Sequence, residues 1–200
     1  MSRLLETIKC LNGRIYNLEY HQKRFNRARK TLFNQNDFLS LQDEIAQNQI
    51  PENGLYRLRI LYQEKIEKIE WIGYQKKMIH SLQCVIDDRL SYNYKWEDRR
   101  DFEKLLLKKN NADEILIIQN GRLTDTSFSN IALYDGKKWL TPSKPLLEGT
   151  KRAKLLDEGL IFEEEIFLKD LKHFKRISLI NAMLDLEESM IPAGRICTQI

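Results

Sequence analysis

No apolar run in this 200-residue chain approaches the length that crosses a bilayer, so a membrane-spanning helix is not expected. The opening, MSRLLETIKC, lacks the apolar stretch and cleavage site of a secretory signal. Cysteine is scarce: Cys10, Cys84 and Cys197 are scattered and odd in number. That excludes a disulfide scaffold and fits reduced thiols in a cytoplasm. His21, His80 and His173 stand too far apart for a local metal motif, so no metal is expected. Positive charge is not gathered into a stripe or tail, since 33 cations are interspersed with 29 anions for a net charge of +4. A nucleic-acid partner is therefore not expected. The densest basic run is His21–Lys30, HQKRFNRARK. Internal repeats and low-complexity linkers are lacking too.

What the chain does have is 42% apolar and 31% charged residues, enough for a core and a wet surface. Asn12-Gly13 between two apolar runs predicts a hairpin joining Leu4–Lys9 to Arg14–Leu18. Spacing of Phe25, Ala28 and Leu32 predicts a helix from Tyr20 to about Phe33, and Phe38–Gln47 reads as a second. Strands are expected over Leu55–Gln63, Ile66–Tyr74 and about Met78–Asp87, then a helix over Glu97–Lys109. Glu114–Gln119 is apolar on both faces and reads as a buried strand. Phe128–Tyr134, Trp139–Thr141 and Arg176–Ile180 complete the strands, with helices over Thr150–Glu158 and Leu168–Phe174. The expected class is α+β in two lobes, residues 1–84 and 85–200.

Several stretches could carry chemistry. In SYNYKWEDRR, Lys95 sits among Tyr92, Tyr94 and Trp96. Alone it reads as a surface lysine, one of 19 in the chain, rather than as a buried reactive amine. Period two in LYRLRIL places Arg57 and Arg59 on one strand face, suited to carboxylate or phosphate, although snorkelling arginines on a wet face look the same. LEGTKRAK sets Gly149 and Thr150 before a helix, where free N–H groups can hold an anion or simply be capped. The glycine pattern of a nucleotide cradle is missing there. GRLTDTSFSN crowds short polar side chains ahead of an apolar strand, as a hydrogen-bonding wall or an edge hairpin would. Arg24 shares a helix face with His21 and Ala28 and reads by itself as part of a wet basic face.

Taken together, these pieces resemble the class IV family of pyridoxal-phosphate enzymes, which includes branched-chain and D-amino-acid aminotransferases and aminodeoxychorismate lyase. LLETIKCLNGRIYNLEYHQKRFNRA is similar to the family's opening hairpin and H-x-x-R helix, and YKWEDR lies where its catalytic lysine lies. ADEILIIQNGRLTDTSFSNIALYDGKKWLTP resembles its most recognisable block, LLEGTKRAKLL its phosphate element, and RISLINAM its late strand and loop. The resemblance covers nearly the whole chain in the family's order. It implies the two-lobed fold type IV, a homodimer and bound pyridoxal 5'-phosphate.

Residue by residue, the resemblance implies that Lys95 bonds the cofactor's aldehyde and later shuttles the proton. Such an amine must be neutral to attack, which demands a pKa well below the reference of about 10.4. Arg24 would hold the phosphate together with Gly149, Thr150 and Lys151, with Ser127 and Asn181 nearby. Asp125 would face the pyridine nitrogen and keep it protonated. Arg57 and Arg59 are the candidate substrate contacts. Three departures stand out. Aspartate replaces the family's usual glutamate at Asp125, and a lysine stands at Lys151 where Thr or Met is common. The family's extra N-terminal strand is also expected to be missing. The expected activity is 4-amino-4-deoxychorismate lyase, because a pared-down pocket suits an enzyme with one substrate. An amino-acid aminotransferase and a cofactor-binding homologue without turnover are the alternatives.

Overall fold

The computed structural model describes residues 2–199. The chain forms two compact units, one running to Lys76 and taking in Tyr94–Asp98, the other comprising Lys77–Asn93 and the chain from Arg99 onward. The division at Lys76 falls ahead of the position 84 expected from the sequence. The physical reason is strand pairing: Leu82–Ile86 is hydrogen-bonded in parallel to Glu114–Gln119 and so belongs with the later chain.

In the first unit, strands β1 (Leu4–Leu11), β2 (Arg14–Ile15), β3 (Leu55–Tyr62) and β4 (Ile66–Gly73) form an antiparallel sheet in the order β2-β1-β3-β4. Asn12 and Gly13 both adopt positive φ, 49° and 78°, as the tight hairpin predicted by their sequence requires. Alternation sends Leu4, Ile8, Leu58, Ile60 and Tyr62 to one face. Helices α1 (Leu18–Phe33) and α2 (Leu41–Ala46) cover that face with Phe25, Ala28, Leu41 and Ile45. Glu6 lies in the same buried row of β1. A fully buried carboxylate among leucines and isoleucines needs partners.

Tyr94–Asp98 rejoins this sheet. The Leu5 N–H bonds the Lys95 carbonyl at 2.9 Å and the Glu97 N–H bonds the Arg3 carbonyl at 2.8 Å. Leu4 bridges Trp96 in antiparallel fashion. Because β3 occupies the other side of β1, this segment takes the edge that β2 occupies further along. The Trp96 N–H also bonds the Tyr94 carbonyl, which puts Lys95 at the apex of a three-residue turn. Tyr94 and Trp96 pack against the core under the sheet.

The second unit holds two sheets. One has the order β13 (Ile196–Cys197), β5 (Leu82–Ile86), β6 (Glu114–Gln119), β7 (Arg122–Thr126). The other has β10 (Phe162–Glu164), β9 (Trp139–Pro142), β8 (Asn130–Tyr134), β11 (Arg176–Ile180), β12 (Met190–Pro192). Leu82, Cys84, Leu116 and Ile118 from the first sheet share a core with Ile131, Leu133, Ile177 and Leu179 from the second. Helix α4 (Thr150–Asp157) brings Leu155 against Ala132, Trp139 and Ile180 from the second sheet. Helix α3 (Arg100–Leu106) is shorter than the Glu97–Lys109 read from the sequence, because its first residues belong to the segment on β1. Leu168–His173 is a 3-10 helix, and β7 emerges from the polar stretch read as a wall. Its pairing with β6 is disturbed between Leu116 and Ile118.

Candidate active site

The first unit contributes a charged cluster beneath its sheet. Burial alone would push the Glu6 carboxyl up, but its partners outweigh that and hold it at about 2. Arg24 grips it as a fork, Nε to Oε1 at 2.9 Å and Nη2 to Oε2 at 2.6 Å. His21 Nδ1 lies 2.6 Å from the same Oε2. Burial keeps the imidazole of His21 below its ordinary pKa despite the raising effect of Glu6, so His21 is neutral and donates from Nδ1. One turn apart on α1, His21 and Arg24 can both meet a single β1 carboxylate. Arg24 is therefore fixed within the core of this unit and is not the wet basic residue its sequence neighbours suggest. Through its Nε–Nη2 edge it meets Glu6.

Lys95 is half-buried at its turn, its carbonyl held by β1 next to Glu6. Its charge reaches His21 and adds to the depression of that imidazole. On the opposite face of the sheet, Lys9 lies directly across from Arg57, and Thr7 from Arg59. Two cations directly opposite each other oppose pairing. Lys9 is nonetheless buried, with its ammonium 5.5 Å above the Tyr16 ring, and Arg57 lies 5.5 Å over Tyr74. The Arg57 Nε is buried with no hydrogen-bond partner. Arg59 reaches Glu70 at 3.3 Å.

The second unit holds the remaining candidates. Asp125, on β7, is buried, and this raises its carboxyl to about 6 although Asn130 and the Leu147 N–H both donate to it. It is therefore mostly ionised at neutral pH. The turn from β7 to β8 is clamped from several sides. The Thr126 hydroxyl meets the Ser129 hydroxyl at 2.8 Å, and the Ser129 N–H donates to it at 3.0 Å. The Ser127 N–H donates to Glu114, and its carbonyl accepts from Arg99. Arg99 in turn stacks on Phe102, 3.9 Å from the ring centre. With its backbone held in this way, Ser127 can serve a ligand through its hydroxyl. Asn181 accepts from the N–H groups of Met183 and Leu184, and its Nδ2 lies 3.4 Å from the Phe128 carbonyl.

Gly149 caps α4, whose first intrahelical bond runs from the Ala153 N–H to the Gly149 carbonyl. The N–H groups of Thr150, Lys151 and Arg152 thus precede the helical ladder, as an anion site needs. The Lys151 ammonium pairs with Asp185, so what Lys151 offers at the helix start is its backbone N–H. Arg152 is likewise engaged, by Glu163 and the Pro142 carbonyl. Among the described residues no cluster of histidine, cysteine, aspartate or glutamate could hold a metal ion.

The amino-transferase class IV family model matches residues 3–187, nearly the whole chain. The chain belongs to the amino-transferase class IV family. An uncharacterized protein of Haemophilus influenzae is 39% identical over 186 residues, which is 92% of this chain and 98% of that protein. A crystal structure from Haemophilus somnus, provisionally named a 4-amino-4-deoxychorismate lyase, superposes with a TM-score of 0.88 at 36% identity. It covers 93% of this chain and 98% of the other. A Mesorhizobium loti structure, provisionally named an amino-acid aminotransferase, gives a TM-score of 0.79 at 21% identity and covers 96% and 99% of the two chains. That likeness shows the shared fold.

Class IV enzymes depend on pyridoxal phosphate, and the residues here suit that group: a lysine at a turn apex, an arginine on a fixed carboxylate, a helix start behind a glycine, and a buried ionised aspartate. Glu6, His21, Asn130, Glu114 and Arg99 support these groups; His21 and Asn130 lay in stretches the sequence reading had marked, without a role of their own, and the other three were not singled out. One signal was present for Glu6, a lone acid at a core position of an alternating strand.

Proposed function

We propose that this class IV enzyme is a 4-amino-4-deoxychorismate lyase, releasing p-aminobenzoate and pyruvate. The observation that carries the reading is Arg57, whose Nε is buried with no hydrogen-bond partner on the strand face it shares with Arg59. A buried guanidinium N–H without an acceptor suits a carboxylate, and this substrate carries two. The 36% identity to the Haemophilus somnus protein supports the same substrate.

In this reading the residues assigned to the cofactor phosphate are Arg24, steadied by Glu6, in the first unit, and in the second the N–H groups of Thr150 and Lys151 with Ser127 and Asn181. Asp125 faces the ring nitrogen. Bound there, pyridoxal phosphate supplies a sink for the electron pair left when a proton departs next to the substrate's nitrogen. Lys95 would hold the cofactor until the substrate's amine displaces it and, once freed, would take that proton from the carbon bearing the amine. The neighbouring carbon–oxygen bond then breaks, enolpyruvate leaves and gains a proton to become pyruvate, and the ring becomes aromatic. The first unit acts as the smaller lobe and the second as the larger, cofactor-binding one, in a cytoplasmic homodimer.

The test is direct. Purified protein should be yellow, and borohydride should fix the cofactor on Lys95, read as a mass shift on the peptide that contains it. With aminodeoxychorismate, pyruvate should appear in equal amount to p-aminobenzoate. A protein that takes up no pyridoxal phosphate would remove the enzyme reading. Conversion to the pyridoxamine form by an amino acid, without pyruvate from aminodeoxychorismate, would make it an aminotransferase. Sedimentation as a monomer at working concentration would remove the homodimer.

A further inference from the structure

A closed ring of hydrogen bonds joins two parts of the second unit that the proposed function uses separately. Asn130, at the start of β8, donates both hydrogens of its Nδ2. One goes to Asp125 Oδ1 and the other to the Leu147 carbonyl, each at 2.8 Å. The Leu147 N–H returns to Asp125 Oδ2 at 2.9 Å. Both neighbours of Nδ2 are acceptors, so the orientation of the amide follows from its partners. Its Oδ1 then lies against Gly149, where an added Cβ would sit 1.9 Å away. Gly149 has φ −72° and ψ 144°, which any residue can adopt. The glycine is needed there for space, and the group that claims the space is Asn130.

Asp125 and Asn130 are only 5% and 6% exposed, so neither side chain can exchange these bonds for water. Both carboxylate oxygens of Asp125 are anchored to the Leu147 segment, one directly and one through Asn130. Aspartate reaches one methylene less far than glutamate, and two such bonds leave its carboxylate a single position. A shift at either end must therefore be felt at the other.

Resting on the function proposed above, we infer that Asn130 is a positioning residue that sets, with one side chain, both the carboxylate assigned to the cofactor ring and the glycine turn assigned to its phosphate. Asn130 touches neither end of the ligand in this role. It makes Asp125 and the Leu147–Gly149 turn move as one piece.

The experiment crosses the two ends. Gly149→Ala, at the phosphate end, must displace the Asn130 amide and so disturb Asp125. In protein without cofactor, the carbon-13 titration of the Asp125 carboxyl reads this; Arg152, on α4, is the charged group whose field reaches that carboxyl. The midpoint should move upward in Gly149→Ala, because a donor to the charged form is withdrawn. Asn130→Ala, at the ring end, should lower the ratio of pyridoxal phosphate affinity to pyridoxal affinity by about tenfold or more. Asn130→Asp keeps the volume, reverses the donor and should raise the Asp125 midpoint furthest; it serves if the alanine variant folds poorly. An unmoved midpoint in Gly149→Ala, or a phosphate ratio unchanged in the Asn130 variants, overturns the inference. Failure of the proposed function looks different: the parent protein would bind pyridoxal and pyridoxal phosphate equally weakly, while the titration still reports the ring.

Discussion

Glu6 in the first unit and Asp125 in the second are both buried carboxylates held by hydrogen bonds, yet their acidities move in opposite directions. Glu6 falls to about 2 and Asp125 rises to about 6. Burial opposes ionisation in both. Glu6 answers it with an arginine fork and a histidine, whereas Asp125 has mainly an amide and a backbone N–H, with Arg152 as a lesser contributor. Neutral donors position a carboxylate without fully compensating its charge. The first arrangement suits a fixed support. The second suits a group whose partner, a protonated ring nitrogen, arrives with the ligand.

The largest expected effect is on stability in the first unit. Glu6→Ala leaves the Arg24 guanidinium without its buried counter-charge, at a cost of about 3–5 kcal/mol. Asp125→Ala leaves neutral donors unpaired and should cost about 1–3 kcal/mol. Chemical denaturation of the two variants under one condition tests the order. If the Asp125 variant loses as much as the Glu6 variant, the contrast between fixed and poised carboxylates is wrong.

Activity should invert that ranking. Under the proposed function, Asp125→Ala should retain pyridoxal phosphate yet lose turnover about hundredfold, because the charge assigned to keep the ring an electron sink would be gone. Glu6→Gln should instead weaken cofactor affinity, since Arg24 loses its anchor, and should leave turnover at saturating cofactor within about tenfold. Steady-state rates at several cofactor concentrations separate the two. Unchanged turnover in Asp125→Ala would mean that Asp125 serves only the ring it shares with Asn130.

Stability against pH sharpens the contrast further. The Glu6 pKa is depressed on folding, so its contribution is present above about pH 4.5 and is lost as pH falls towards 2. The Asp125 pKa is raised from 3.8 to about 6, so its contribution is full below about pH 4 and is lost as pH rises through 6. Relative to the parent protein, Glu6→Gln should be most destabilised at neutral pH and least in acid. Asp125→Ala should show the reverse trend between pH 4 and 6. Parallel curves for the two variants would place their shifts in the same direction.

Much of this was legible in the sequence, for identifiable reasons. Asn12-Gly13 and Asn120-Gly121 mark their turns because both residues of each pair take positive φ. Local chemistry decides such turns, so local reading finds them. Lys95, Arg24 and Gly149 were nominated through the order and spacing of family motifs along the chain. Their supports were not. Glu6 and Arg24 are 18 residues apart, and Asn130 meets a carbonyl 17 residues away, so nothing local advertises either contact. The return of Tyr94–Asp98 to β1 was equally hidden, because edge pairing is set by a strand nearly a full unit earlier. Lys151 shows the opposite failure: its charge was legible, but Asp185, which takes that charge up, was not.

The smallest stability effect should come from the outer face of the first unit's sheet, and it tests whether that face serves the substrate. Arg59 and Glu70 are partly exposed at 27% and 24%, and such a pair is worth about 0–1 kcal/mol. Arg59→Gln should therefore barely move the denaturation midpoint. If Arg59 holds a substrate carboxylate, the same variant should raise KM for aminodeoxychorismate about tenfold or more, with pyridoxal phosphate affinity unchanged. Glu70→Gln breaks the same ion pair but keeps the arginine, and should leave KM unchanged or lower it. A KM that rises equally in both variants would assign the pair to the sheet alone and leave Lys9 and Arg57 to meet the substrate.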